Sequence, residues 1–231
     1  MSDMLTFIKG VAKNPTKIGA ISPSSPYLAE RMVKAASLTN EHAIAELGAG
    51  TGSITKRIRE EVPRAPLIAL EPDPSLAAIL RREVERIDVS ERFAEDLPEV
   101  VAEWGHPKVD RVISGLPWAM WPAWVQEPII DAIAASMAPD GRFVTFTYVT
   151  SQIVPAAARL RELLLRYFGE VHRSQIQWAN LPPAFVYIAD RPLVDPLSRR
   201  STKKLPVRLM GVNDNTLQRI LKELKDRDRR P

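Results

Sequence analysis

The sequence contains no cysteine. Disulfides, thiolate metal sites and cysteine nucleophiles are therefore excluded, and a reducing compartment is permitted without being required. Histidine is nearly as scarce. His42, His106 and His172 are the only three, and no two have the close spacing of an HExxH-type pair, so no metal centre is expected. No apolar run approaches the roughly 20 residues that cross a bilayer as a helix. Near the amino terminus Lys9 and Lys13 interrupt the apolar residues, and no small-residue cleavage site follows a continuous apolar core, so no secretory signal is read. No internal repeat or low-complexity tract appears. What these absences leave is an ordinary globular, cytoplasmic chain.

Charge is divided unevenly. Residues 191–231 hold twelve Lys/Arg against five Asp/Glu, whereas residues 1–190 hold twenty against twenty-three. The basic tail favours an anionic surface, either phospholipid or nucleic acid. Three segments follow from this and from the patterns below: 1–36, a leading amphipathic or lid segment; 37–190, the main domain; and 191–231, a basic extension.

Residues 43–47 (AIAEL) have the apolar continuity of a short buried strand, followed by glycines and a helical pattern to about Val62. Residues 66–71 predict the next strand, and Pro74 to about Arg86 the next helix, with proline in its first turn. Further strands are predicted at 109–116 and 142–149, and helices at 126–137 and 156–168. Two closing strands, near 171–179 and 184–189, have no helical pattern between them. This alternation predicts an α/β fold with a mostly parallel sheet covered on both faces, closed by a hairpin. At the amino end, Met4, Leu5, Phe7, Ile8, Val11 and Ala12 share one arc of a helix over 3–14, opposite Thr6, Lys9, Lys13 and Asn14. Such a helix either packs on its own domain or lies in a membrane interface. At the other end, Leu217, Ile220, Leu221 and Leu224 form an apolar stripe suited to docking on the domain or on a dimer partner, after a basic linker at 195–212.

The clearest motif is Glu46-Leu47-Gly48-Ala49-Gly50-Thr51-Gly52, which follows a strand and opens a helix. Glycines there allow a sharp turn and close approach to a ligand. Glu71 ends the next strand about twenty residues later, where a carboxylate takes ribose hydroxyls. Asp96, after Phe93-Ala94-Glu95, is read near the end of a further short strand lying between the 74–86 helix and the 109–116 strand, where a carboxylate can accept from an adenine amino group. The combination resembles class I S-adenosylmethionine (SAM)-dependent methyltransferases, whose signature is E-x-G-x-G-x-G. The resemblance implies a Rossmann-like, seven-stranded, mostly parallel sheet, with SAM as cofactor and S-adenosylhomocysteine as product. It also implies that Glu46, Gly48 and Gly50 surround the methionine moiety, with Ala49 and Thr51 in the same turn. Glu71 and Pro72 would lie at the ribose, Asp96 and Leu97 at the adenine, and Ser114, Ser24 and Ser25 also against the cofactor.

The fourth strand ends in Ser114-Gly115-Leu116-Pro117-Trp118, a position resembling the N-L-P-Y loop of amino methyltransferases acting on adenine. Serine replaces asparagine and tryptophan replaces tyrosine, which suits an alkylammonium acceptor better than a flat base. With residues 10–27 (GVAKNPTKIGAISPSSPY) and Leu181-Pro182-Pro183-Ala184-Phe185-Val186-Tyr187, the chain resembles bacterial phospholipid N-methyltransferases of the short, rRNA-adenine-dimethylase-like type over roughly residues 4–190. That resemblance implies methylation of phosphatidylethanolamine toward phosphatidylcholine, by a protein held peripherally at the inner face of the cell membrane, on a surface carrying anionic lipid. Ser114, Leu116 and Trp118 would align the amine, and Tyr27, Tyr148 or Tyr187 would accept its proton if bulk water did not. Trp121 would shape an apolar mouth or pack the following helix. Ser22, Ser24 and Ser25 with Arg31 would hold the lipid phosphate; Ser24 or Ser25 would equally cap a helix starting near Pro26. Nucleic acid is not the expected partner, and the sequence leaves the oligomeric state open. The rival readings are an RNA or DNA adenine N6-methyltransferase, a small-molecule methyltransferase, and a SAM-binding protein without catalysis.

Overall fold

The computed structural model describes residues 25–194 together with the short strand at 208–209. The predicted helix at 3–14, Ser22, Ser24 and the apolar stripe at 217–224 lie outside the described residues. The chain runs α1 (Pro26–Ala36), β1 (Ile44–Leu47), α2 (Ser53–Glu61), β2 (Leu67–Leu70), α3 (Pro74–Glu83), β3 (Asp88–Ser90), α4 (Leu97–Glu103), β4 (Val109–Ser114), α5 (Ala123–Ser136), β5 (Met137–Tyr148), α6 (Pro155–Tyr167), β6 (Phe168–Arg173), β7 (Ala184–Pro192) and β8 (Arg208–Leu209). The strands form one sheet in the order β3-β2-β1-β4-β5-β7-β6-β8. From β3 through β5 every pairing is parallel; β7 is antiparallel to both β5 and β6. This is the Rossmann-like α/β architecture expected from the sequence, with seven principal strands and the two-residue β8 added beside β6.

Side-chain alternation along the strands builds two cores. Ala45, Leu47, Val112, Phe143, Phe185 and Tyr187 face α4, α5 and α6, while Ile44, Ile113, Val144, Val186 and Ile188 face α1 and α2. The helices begin where the sequence supplies caps. Ser25 Oγ accepts from Leu28 N at 3.3 Å and Pro26 takes the first helical position, so α1 starts there. Its buried stripe of Leu28, Ala29, Met32, Val33 and Ala36 then fixes it to the sheet. Asp73 caps α3, its carboxylate accepting from Ser75 N at 2.8 Å and Leu76 N at 3.3 Å. A bidentate Arg142–Asp190 pair (2.7 and 3.0 Å) joins β5 to β7, and Arg142 also donates to Ala35 O at the end of α1.

Some boundaries differ from the sequence reading. The third strand is only Asp88–Ser90. Asp96 lies beyond it in a single 3-10 turn, where its Oδ2 accepts from Phe93 N at 3.2 Å. Helix α5 starts at Ala123, earlier than expected, and carries Pro128 within it. The strand expected at 171–179 ends at Arg173: Ser174 N still donates to Val186 O at 2.8 Å, but Ser174 Oγ takes the Val186 amide at 3.0 Å, and beyond it only the Gln177–Ala184 bridge continues the pairing. Residues 174–183 form the loop of the expected closing hairpin, whose second strand, β7, lies between β5 and β6.

All the parallel strands end at one edge, and the chain reverses its direction of travel between β1 and β4. This is a topological switch point, where open α/β sheets bind ligands. The Asp73 cap lies at this edge and is testable by itself. Asp73→Ala should lower unfolding free energy by about 1 kcal/mol and Asp73→Ser should restore most of it, as read by urea denaturation.

Candidate active site

The site is built from the β1 turn outward. Glu46 is fully buried on β1, and neither of its carboxylate oxygens has a hydrogen-bond partner among the described residues. Burial, reinforced by the charge of Glu71 and only partly offset by the nearby hydroxyl and amide of Thr55, which stand outside good hydrogen-bonding geometry, pushes its pKa up to about 8. Beyond it the backbone turns at Gly48 (φ +71°), where a Cβ would stand 2.6 Å from Leu116 Cδ2 of the β4 loop. At Gly50 (φ +56°) nothing lies within 4 Å of where a Cβ would be, so the turn is open on that side. Ala49 is buried and Thr51 exposed.

Glu71 follows β2 and is 6% exposed. Its Oε2 accepts from Gly50 N at 2.8 Å and its Oε1 from Asp73 N at 3.0 Å, so it braces the glycine turn from the neighbouring strand. Burial raises its pKa against the lowering effect of those two amides. Pro72 is half-buried beside it, Asp96 is half-buried, and Leu97 is wholly buried.

On the other side of the switch point, the β4 loop folds back on its own strand. Ser114 is completely buried. Its hydroxyl accepts from Trp118 Nε1 at 3.2 Å and from Leu116 N at 3.3 Å, and its carbonyl accepts from Thr145 Oγ1 at 3.1 Å. Trp118 is 2% exposed and meets Trp121 and Phe143 edge-on, with ring centroids 5.8 and 6.4 Å away. Sequence reading placed Trp118 facing an acceptor; here it is the floor of the loop, and an acceptor reaches its ring only if the loop shifts. Tyr187, expected at the substrate, is also a core residue at 2% exposure, edge-on to Phe185.

These residues share one face of the sheet. Strand register sets Ser114, Thr145, Tyr187 and Arg173 in a single row across β4, β5, β7 and β6. Tyr148, Tyr27, Ser25 and Arg31 belong to the other face, since Tyr148 packs in the core covered by α1 and the other three lie on or cap α1. The structure does not gather the three candidate tyrosines around one atom. Burial moreover raises the pKa of both Tyr148 and Tyr187, so neither is available as a phenolate at neutral pH.

Three buried polar residues were missed. Gln126 of α5 directs Nε2 at the carbonyls of Trp118 (2.7 Å), Trp121 (3.0 Å) and Ala156 (3.0 Å), and so pins the tryptophan loop. Asn180 donates to Pro182 O at 2.6 Å and accepts from Ser25 Oγ, tying loop 174–183 to the start of α1. Arg173 is 8% exposed, with its guanidinium 4.8 Å over the Phe185 ring. A lone amide in an apolar helix or a single arginine at a strand end carries no spacing signal, so no motif could have found them.

Comparisons with known proteins agree with this geometry. Residues 23–94 match the family model of ribosomal RNA adenine dimethylase. Over 191 residues the chain is 34% identical to the ornithine lipid N-methyltransferase of Singulisphaera acidiphila, a match covering 81% of this chain and 95% of that one. The chain belongs to this family of SAM-dependent methyltransferases. A shorter likeness, 33% over 91 residues, links the methyltransferase to the probable ribosomal RNA small subunit methyltransferase A of Methanosarcina acetivorans, over 39% of this chain and 32% of that one. Among solved structures, TrmN from Thermus thermophilus (TM-score 0.59, 18% identity, 72% of this chain and 48% of that one) shares the fold. So does a SAM-dependent O-methyltransferase from Thermotoga maritima (TM-score 0.57, 14% identity, 81% and 71%).

The residues present fit SAM. An orphaned buried carboxylate, an open glycine turn at a helix amino terminus and a second carboxylate one strand away suit a ligand with an ammonium group and a ribose. No helix among the described residues is long and apolar enough to cross a membrane.

Two outcomes follow for the methyltransferase. Glu46 takes up a proton more readily when folded, its pKa rising from 4.5 to about 8. Ligand-free stability should therefore fall as pH rises through that interval, because only the folded state still holds the proton. Glu46→Gln should flatten that fall in thermal melts and weaken SAM binding measured by calorimetry. Gln126→Leu should cost about 1–3 kcal/mol by leaving buried carbonyls unpaired, and should raise KM for the acceptor while SAM affinity is retained.

Proposed function

We propose that the protein transfers methyl groups from SAM to the amine of a membrane amino lipid, with phosphatidylethanolamine and its methylated intermediates as acceptors on the path to phosphatidylcholine. In this reading it works peripherally, on an anionic membrane surface at the inner face of the cell. The observation that carries the acceptor class is the β4 corner. Ser114 turns its hydroxyl inward to Trp118 and Leu116, so it offers no outward polar grip to a nucleobase, and the loop it supports is aromatic and apolar. The 34%-identical relative, named for an ornithine lipid, supports a lipid amine and makes an ornithine lipid the second acceptor to test.

SAM supplies an electrophilic methyl group on a sulfonium. The chain's part is alignment and exclusion of water. Glu46 would pair with the ammonium of the methionine moiety, Glu71 would hold the ribose while bracing the glycine turn, and Asp96 would meet the adenine. Leu116, in contact with the Gly48 turn, would bring acceptor and cofactor together. Trp118 would offer its π face to the charge developing on nitrogen once the loop moves. The acceptor's ammonium must first lose a proton, and with Tyr148 and Tyr187 held protonated, water takes it. Arg173 supplies positive charge on the same face, suited to the anionic group of a lipid head.

The test uses methyl-labelled SAM with vesicles of phosphatidylethanolamine, with or without phosphatidylglycerol, beside vesicles containing ornithine lipid and a structured RNA. Label should enter lipid, and RNA should stay unlabelled; label in adenine alone sinks the reading. Trp118→Ala should lower kcat/KM about 30-fold, the equivalent of a desolvated cation–π contact of about 2 kcal/mol, with SAM affinity unchanged.

A further inference from the structure

Large apolar side chains exposed to solvent are not scattered over this domain. Among the described residues they are Tyr27, Trp124, Ile153, Val154, Trp178, Leu181 and Val194. All but Val194 lie at the edge where the parallel strands end. Trp124 opens α5 after the β4 loop, and Ile153 and Val154 follow β5. Trp178 and Leu181 sit in loop 174–183, which joins the end of β6 to the start of β7 at that same edge. Tyr27 is placed there by the hydrogen bond between Ser25 and Asn180.

Their distribution along the edge is as uneven as their distribution over the domain. The half formed by β1, β2 and β3 carries the glycine turn, Glu71 and Asp96 and none of these exposed groups. They surround the half formed by β4, β5, β7 and β6, where Ser114, Trp118 and Arg173 lie. Leu181 is 93% exposed and Ile153 60%; singly exposed apolar residues are ordinary, but several gathered along one half of one sheet edge mark an interaction surface. Tryptophan, tyrosine and aliphatic tips together are the composition that settles at a bilayer interface.

We infer that this collar, with Trp178, Leu181, Ile153 and Val154 at its centre, is the surface by which the domain docks on a phospholipid bilayer. The inference rests on the amino-lipid reading of the site and adds an orientation to it. A lipid whose chains stay in the membrane can deliver its amine only to an opening that faces the membrane. The collar borders the acceptor half of the sheet edge and leaves the cofactor half outside it. SAM can then exchange from water while the protein stays docked. A partner protein would need no such agreement between the apolar surface and the acceptor half.

The experiment measures binding of the full chain to vesicles of phosphatidylethanolamine and phosphatidylglycerol by flotation. Leu181→Ser and Ile153→Ser should each weaken partitioning roughly tenfold, the worth of one aliphatic side chain moved out of apolar surroundings. Lipids brominated in the acyl chain should quench wild-type fluorescence more than that of Trp178→Phe. SAM affinity and activity on a monomeric short-chain acceptor should be unchanged, which separates docking from misfolding. Wild-type binding by both serine variants, with release instead by Phe7→Ser and Ile8→Ser in the leading segment, would overturn the inference. So would light scattering that shows the collar substitutions dissolving a dimer while vesicle binding persists. If the collar governs binding but no lipid is methylated, docking stands and the amino-lipid reading fails; if lipid is methylated and the collar variants behave as wild type, the reverse holds.

Discussion

Two turns touch at the centre of this molecule, and most of its organisation follows from that contact. The β1 turn at Gly48 lies so close to Leu116 of the β4 loop that a Cβ on Gly48 would overlap the leucine side chain. In the proposed reading, one turn belongs to the cofactor half of the sheet edge and the other to the acceptor half. Their contact fixes the separation between the halves, the quantity a direct group transfer depends on. Parallel pairing of β1 with both β2 and β4 brings these turns to the same level, and Glu71 and Ser114 hold them from either side by hydrogen bonds to backbone amides.

The two halves use opposite electrostatic means. On the cofactor side, Glu46 is buried with no hydrogen-bond partner among the described residues, which raises its pKa and costs the ligand-free fold stability as pH rises. In the proposed reading, the ammonium of the cofactor relieves that cost, so the energy stored at Glu46 becomes affinity. On the acceptor side the carboxylates disappear and the wall is indole, phenyl and aliphatic, with polar groups such as Gln126 and Ser114 spent on holding the loop in shape. An amine leaving water for such a wall is favoured in its neutral, nucleophilic form.

The apolar wall continues outward into the exposed collar. Inside, the aromatic residues are packed and hydrogen-bonded. Outside, Trp178 and Leu181 project from loop 174–183 and Ile153 from the 3-10 turn after β5. Asn180 links the collar to α1, so the segment entering the domain and the loop rimming the acceptor half are mechanically joined.

Much of this was legible in the sequence. Local composition determined the strand–helix alternation, the glycine turn after β1 and the carboxylates Glu46 and Glu71, because each depends on residues close together along the chain. Asp96 was found as a residue but misplaced as to element, since the short β3 gives little pattern before a turn that caps itself. Only the tertiary structure decided that β7 enters between β5 and β6, that Trp118 and Tyr187 turn into the core, and that the candidate tyrosines lie on opposite faces. It alone showed Gln126 reaching three carbonyls, one of them on α6, and exposed apolar residues from four separate segments meeting around one half of one edge. The physical reason is the same in each case. Strand pairing and side-chain burial join residues far apart in the chain, and no spacing in a single sequence records which of them will meet.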